Sequence, residues 1–237
     1  GARARMSGTE ERVLGVITAR GGSKGIPRKN LALVGGVPLV VHAVRQAAAS
    51  RTLARTVVST DDDEIARVAR DAGGDVPFRR PPELAEDGTP TLPVLVHALQ
   101  TLGLAGDAPY AWVCVLQPTN PLRRAEDIDR CVEKARATGA DSVVTVCPAP
   151  HPAKIKRMEG DRLLPYAVVE SEGTRRQDLG GPAWKRNGAV YVFRRDVLLS
   201  GRLYGDDTRA VEMPAERSVD IDGPAELLLV RALWDTL

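Results

Sequence analysis

The chain has 237 residues, with 33 Lys and Arg against 31 Asp and Glu, for a net charge of +2. That balance gives no general attraction to nucleic acid or an anionic membrane, and with 4 % aromatic residues the basic stretches lack the interleaved stacking groups of a single-strand binder. No apolar run approaches the ~18–20 residues that cross a bilayer, and GARARMSGTEE at the start lacks a signal-peptide core, so the expected location is cytoplasmic.

Val13 to Ile17 is short, β-branched and uncharged, the pattern of a buried strand in a parallel sheet. The stretch that follows, ARGGSKGIPRKN over 19–30, carries Arg20, Lys24, Arg28 and Lys29 and no acid. It would leave the carboxyl end of a strand, where open α/β sheets bind ligands. Gly21, Gly22 and Gly25 lack a Cβ, so the backbone around Ser23 can take positive φ and bring its N–H groups within hydrogen-bonding distance of a large anion. The cations supply the countercharge, so a polyphosphate suits the loop. A solvated surface turn is the competing reading, and neither GxxxxGK[ST] nor GxGxxG can be laid over it.

Helices are expected at Pro38 to Ala49, Glu64 to Ala72, Pro93 to Leu102 and Glu126 to Thr138, and strands at Thr56 to Thr60, Asp75 to Arg79, Trp112 to Leu116 and Ser142 to Cys147. The alternation predicts an α/β, Rossmann-like, mostly parallel sheet with helices on both faces. Asp61 or Asp62 reads as a helix cap or, alternatively, a metal ligand. Arg79 to Leu84 is expected to be extended, because prolines oppose helix there. His97 is read as packing or capping, with catalysis as the rival role. Cys114, Cys131 and Cys147 are expected to be reduced thiols, two of them inside apolar strand-like runs.

Residues 148–182 lose the helical period and scatter bases among short apolar pieces. They are expected to leave the sheet as a β-hairpin or small lobe, with a solvated loop as the rival. The sheet resumes at Gly188 to Phe193, and a last helix spans Pro224 to Leu237. The simplest division is one domain over 1–237, with 1–11 a disordered N-terminus. Near the end, Asp220 and Asp222 flank Ile221, so an extended segment turns both carboxylates one way and Ile221 to the core. Two such carboxylates invite a cation, Mg²⁺ by preference. A capping role for Asp222 stays open. A cationic loop and a carboxylate pair suffice for nucleotidyl transfer, which is mainly positioning and electrostatics.

The motifs ITARGGSKGIPRKN, VVSTDD, RRPPEL, LQPTNPLR, RRQDL, KRNGAVYVF and SVDID together resemble the CMP-sialic acid synthetases, the acylneuraminate cytidylyltransferases, in that family's order from about Val13 onward. The resemblance implies CTP as co-substrate, Mg²⁺ as cofactor, a sugar acid as acceptor, pyrophosphate release and a homodimer. It places Arg20, Gly21, Gly22, Ser23, Lys24, Lys29 and Asn30 around the nucleotide, with Arg80 and Thr91 helping to recognise it. It places Gln117 near the reacting hydroxyl and Asp220 and Asp222 on the metal, so Arg20, Lys24, Gln117, Asp220 and Asp222 form the catalytic set. Arg123, Lys154, Arg176, Gln177, Lys185 and Asn187 are the acceptor-side candidates, with 148–182 as the dimerisation element. Trp184-Lys185-Arg186-Asn187-Gly188 departs from the FRPNG frequent in the family, and Pro90 and Pro93 replace frequent serines. The acceptor therefore stays open among nonulosonic acids, Kdo and phosphonates, and a non-catalytic nucleotide-binding module is the different-class alternative.

Overall fold

The computed structural model describes residues 12–107, 109–168 and 181–237. A six-stranded sheet runs β10 (Thr208–Glu212), β6 (Ser142–Ala149), β9 (Ala183–Arg194), β5 (Trp112–Leu116), β1 (Val13–Thr18) and β4 (Arg55–Ser59) in spatial order. β1 pairs in parallel with both β4 and β5, β10 is parallel to β6, and β9 runs antiparallel between β5 and β6. The ribbon β2 (Leu33–Val34) and β3 (Val37–Pro38) precedes α1 (Leu39–Ala49). The other helices are α2 (Asp63–Asp71), α3 (Thr91–Leu104), α4 (Ala125–Thr138), α5 (Arg195–Leu199) and α6 (Pro224–Trp234).

Strand alternation distributes β1 between two cores. Val13 and Ile17 join α1, α2 and α4 residues such as Val40, Ile65 and Ile128 on one face. Leu14 and Val16 meet Leu95, Ala98 and Leu198 of α3 and α5 on the other. Helices therefore cover both faces, as a mostly parallel sheet requires. A third cluster, holding Val34, Leu39, Leu122, Ile221, Leu227 and Val230, fixes the C-terminal segment against the start of α1. All three cysteines are buried and free.

Several expected boundaries shift. α3 begins at Thr91, because a proline inside the first helical turn removes no hydrogen bond that the helix needs. The expected strand Asp75 to Arg79 contracts to a single parallel bridge between Val57 and Asp75. Arg79 to Leu84 is not wholly extended either: Pro82–Leu84 forms a 3-10 turn, since the fixed φ of proline suits a first turn. β10 and α5 were not anticipated. In the excursion, β7 (Lys156–Glu159) and β8 (Arg162–Pro165) form an antiparallel hairpin. The segment carrying Arg176 and Gln177, and the expected disordered N-terminus, lie outside the described residues.

β9 is longer than β5. Its Tyr191–Phe193 stretch pairs with both neighbours, whereas Ala183–Arg186 pairs only with Ala149–Val146, as a two-stranded extension. Between the halves the register slips by a bulge opposite Thr145. That irregularity re-aims Asn187 and Gly188, as bulges beside functional sites do.

Candidate active site

Four chain segments converge beyond the carboxyl ends of β1, β4 and β5. They enclose a cleft of about 310 Å³ lined by Thr18, Arg20, Gly22, Ser23, Lys29, Asn30, Arg80, Thr91, Gln117, Asp220 and Asp222, with Glu86 and Asp87 on its rim loop. Most of the expected nucleotide and catalytic residues are therefore together.

The glycine-rich loop is built differently from expectation. None of Gly21, Gly22 and Gly25 has positive φ; the left-handed residue is Arg28, at φ 55°. Glycine serves close approach instead. A Cβ on Gly25 would lie 2.2 Å from the Asp222 carbonyl oxygen, and one on Gly21 would lie 2.8 Å from Asp62 Oδ2. The Gly21 N–H is already committed, donating to Asp61 Oδ1 at 2.9 Å. Asn30 donates from Nδ2 to the Arg20 carbonyl at 2.8 Å, which braces the loop from within. Arg28 pairs with Asp62 at 2.7 Å and Glu64 at 2.6 Å, pointing at α2. Asp62 caps that helix, accepting from Ile65 N at 2.9 Å, so the aspartate run closes the loop onto β4 and α2.

Arg80 is 4 % exposed in the cleft wall. It donates to Ser59 Oγ at 3.0 Å and the Ser59 carbonyl at 2.6 Å, and no carboxylate pairs with it among the described residues. Burial, with the Arg20 charge adding to it and Asp61 opposing, lowers its pKa to about 10, so it is cationic at neutral pH. A desolvated cation without a protein counter-ion is a strong attractor for an anion. His97 packs edge-on against Phe78, and burial lowers its pKa. It is not among the residues lining the cleft.

Opposite stand the carboxylates. Ile221 is fully buried, and its N–H donates to the Thr119 carbonyl at 3.0 Å, tying the segment to the Gln117 loop. Asp220 accepts from Asn120 Nδ2 at 3.1 Å. Burial first, and then the charge of Asp222, raise its pKa above the usual carboxylate value despite opposing hydrogen bonds and Lys29. Asp222 does not cap α6: Gly223 is the N-cap, and its N–H donates to Glu226 Oε2 at 2.9 Å. Gly188 sits beneath this cluster at φ 79°, and a Cβ there would lie 2.8 Å from Asp220 Oδ2, 3.1 Å from Asn120 Nδ2 and 3.2 Å from Gln117 Oε1. The bulge thus leaves room where three polar side chains meet.

Other expected site residues lie outside the lining. Arg123 is 2 % exposed and donates to the carbonyls of Gln117 at 3.2 Å and Ala189 at 2.6 Å and to Gln46 Oε1 at 2.7 Å. It fastens the Gln117 loop to β9 and has no surface left for a substrate. Asn187, also buried, accepts from Thr145 Oγ1 at 2.6 Å and donates to Ser218 Oγ at 2.8 Å, knitting the bulge to the approach of the carboxylate segment. Lys24 pairs with Asp87 at 3.0 Å on the rim, while Lys154 and Lys185 lie on the excursion and the extended ribbon. Asn120, Ser59 and Asp87 were missed, and Asp61, read as a helix cap or metal ligand, instead accepts from the Gly21 N–H. Their roles depend on partners 21 to 100 residues away, which the VVSTDD and LQPTNPLR strings that hold Ser59, Asp61 and Asn120 do not reveal.

Phosphate-seeking cations facing a carboxylate pair across the mouth of a Rossmann-like sheet define a nucleotidyltransferase type of site. Residues 14–157 match the family described as Cytidylyltransferase. The chain is 32 % identical over 94 % of its length, and 97 % of the relative, to a CMP-N,N'-diacetyllegionaminic acid synthase of Legionella pneumophila. It is 34 % identical over 87 % of its length, and 47 % of the relative, to N-acylneuraminate cytidylyltransferase A of Danio rerio, so it spans about half of that vertebrate protein. Among solved structures, a CMP:2-keto-3-deoxy-manno-octonic acid synthetase complexed with CTP superposes with TM-score 0.72 at 22 % identity, over 95 % of this chain and 99 % of the other. The chain belongs to the cytidylyltransferase family.

Proposed function

We propose that the protein transfers CMP from CTP to the hydroxyl of a nonulosonic, sialic-type acid and releases pyrophosphate. The observation that carries this reading is the single cleft in which Arg20, Lys29 and Arg80 face Asp220 and Asp222. Arg20, Lys24 and Lys29 bind the β- and γ-phosphates, Arg80 and Thr91 hold the nucleotide, and Gln117 orients the acceptor hydroxyl for in-line attack on the α-phosphorus. Stabilising charge as it develops on the leaving pyrophosphate is the main work of such a site.

The donor set of Asp220 and Asp222 suits Mg²⁺: hard oxygen ligands, mutually repelling, on one side of an extended segment. Among the described residues no group of three or more His, Cys, Asp or Glu gathers to hold a metal, so the pair would share the ion with substrate phosphates. Held by Asp220 and Asp222, the ion would supply positive charge to neutralise the substrate phosphates.

We read the chain as one nucleotidyltransferase domain with 148–182 as its excursion, working as a cytoplasmic homodimer. Ile155, Met158, Leu163 and Tyr166 on or beside the hairpin are 50 to 69 % exposed, apolar surface of the kind a second copy covers. No helix among the described residues is long and apolar enough to cross a membrane. Lys154, Arg176, Gln177 and Lys185 remain the acceptor-side candidates, supplying charge for a carboxylate.

The test is pyrophosphate release from CTP and Mg²⁺ with N-acetylneuraminate, N,N'-diacetyllegionaminate, pseudaminate, Kdn, Kdo and 2-aminoethylphosphonate. Turnover with one nonulosonic acid, and none with ATP, GTP or UTP replacing CTP, is the expected result. Turnover with Kdo or the phosphonate alone would overturn the acceptor assignment.

A further inference from the structure

The cations of the glycine-rich loop already have an anion. Arg20 Nη1 lies 2.6 Å from Asp87 Oδ1, and Lys24 Nζ lies 3.0 Å from Asp87 Oδ2, so one carboxylate bridges both. Arg20 Nη1 also donates to the Ala85 carbonyl at 3.4 Å. These ion pairs, that with Lys24 first, lower the Asp87 pKa and keep it charged at neutral pH. The arm carrying Asp87 is set by local structure. The 3-10 turn Pro82–Leu84 starts it, Thr89 N donates to the Glu86 carbonyl at 3.1 Å, and Thr89 Oγ1 donates to the Glu83 carbonyl at 3.0 Å. A carboxylate held on a preformed arm between two loop cations competes with any other anion for them.

We infer that Asp87 is an exchangeable counter-ion of the phosphate loop, displaced when the triphosphate enters and returning as pyrophosphate leaves. This inference rests on the loop being the phosphate site. Its physical content is that arriving phosphates replace one anion rather than meeting bare charges, which weakens binding of substrate tail and product alike. Weaker product binding favours turnover wherever release limits the rate. Arg20 and Lys24 thus gain a companion residue that sets affinity without touching the reacting phosphorus. Glu86 lines the same cleft and pairs with neither cation.

Calorimetric titration with inorganic pyrophosphate tests this on the wild type and on Asp87→Asn, Glu86→Gln, Arg20→Ala and Lys24→Ala. Asp87→Asn is expected to bind pyrophosphate about threefold tighter, the size of one exposed ion pair, and to lower KM for CTP without raising kcat. Arg20→Ala and Lys24→Ala bind it more weakly. Unchanged or weaker binding by Asp87→Asn, with both cation variants impaired, overturns the counter-ion role alone. Equal tightening by Glu86→Gln also overturns it, because a general field would then explain the effect. If neither cation variant weakens pyrophosphate binding, the phosphate-site reading itself fails.

Discussion

The Lys29 ammonium donates to the Ile221 carbonyl at 2.9 Å, which fastens the glycine-rich loop to the segment bearing both carboxylates. One side chain therefore adds charge to the cleft and sets its width. Lys29→Ala is expected to lower kcat/KM roughly a hundredfold, the cost of one preorganised donor. If steady-state kinetics in that variant stay near wild type while Tm falls, Lys29 is only a strap.

Gly188→Ala tests the bulge. The new Cβ would need φ near 79° and would meet Asp220, Asn120 and Gln117 together. A loss of about 1–3 kcal/mol is expected from backbone strain, read by denaturant unfolding. Activity measured well below the unfolding transition should fall further than stability does, because the clash displaces Asp220.

Asp222→Asn should abolish metal-dependent turnover and leave Tm within about 1 °C of wild type, since α6 is capped through Glu226. A markedly destabilised variant would return Asp222 to a structural role.

Asp62→Ala removes the cap of α2 and the partner of Arg28. A destabilisation of about 1–2 kcal/mol at pH 7 is expected. Burial opposes ionisation of Asp62, but hydrogen bonds from Ile65 and Arg28 outweigh it and lower its folded pKa. Its contribution is therefore present above the ordinary carboxylate pKa and lost as pH falls through the folded value. The stability gap between the two proteins should close as pH falls through the lowered folded pKa of Asp62; a constant gap would assign the effect to packing.

Much of this was legible in the sequence because it is local. β1, β5, α1 and α4 follow from apolar periodicity, and the Asp220-Ile221-Asp222 alternation fixed which residue is buried and which two face the cleft. What stayed hidden is non-local. Nothing near Arg123 reveals that its two terminal guanidinium nitrogens donate to Gln117, Ala189 and Gln46. Nothing near Asn187 shows that it belongs to a bulge, because the slipped register exists only in the pairing with β6. Nothing in the sequence around Asp87 shows that packing brings it to Arg20. The glycines misled for a physical reason: absence of a Cβ permits either positive φ or close approach, and sequence alone does not separate the two.

Ala149 and Ala183 are direct partners at the outer end of the β6–β9 ribbon, so the intervening stretch departs from and returns to one point. A chain segment whose ends are already held together can change length or composition at small closure entropy, growing only with the logarithm of its size. Such a segment behaves as a cassette. Its length and composition can therefore vary while the six-stranded sheet from which it departs keeps its pairing.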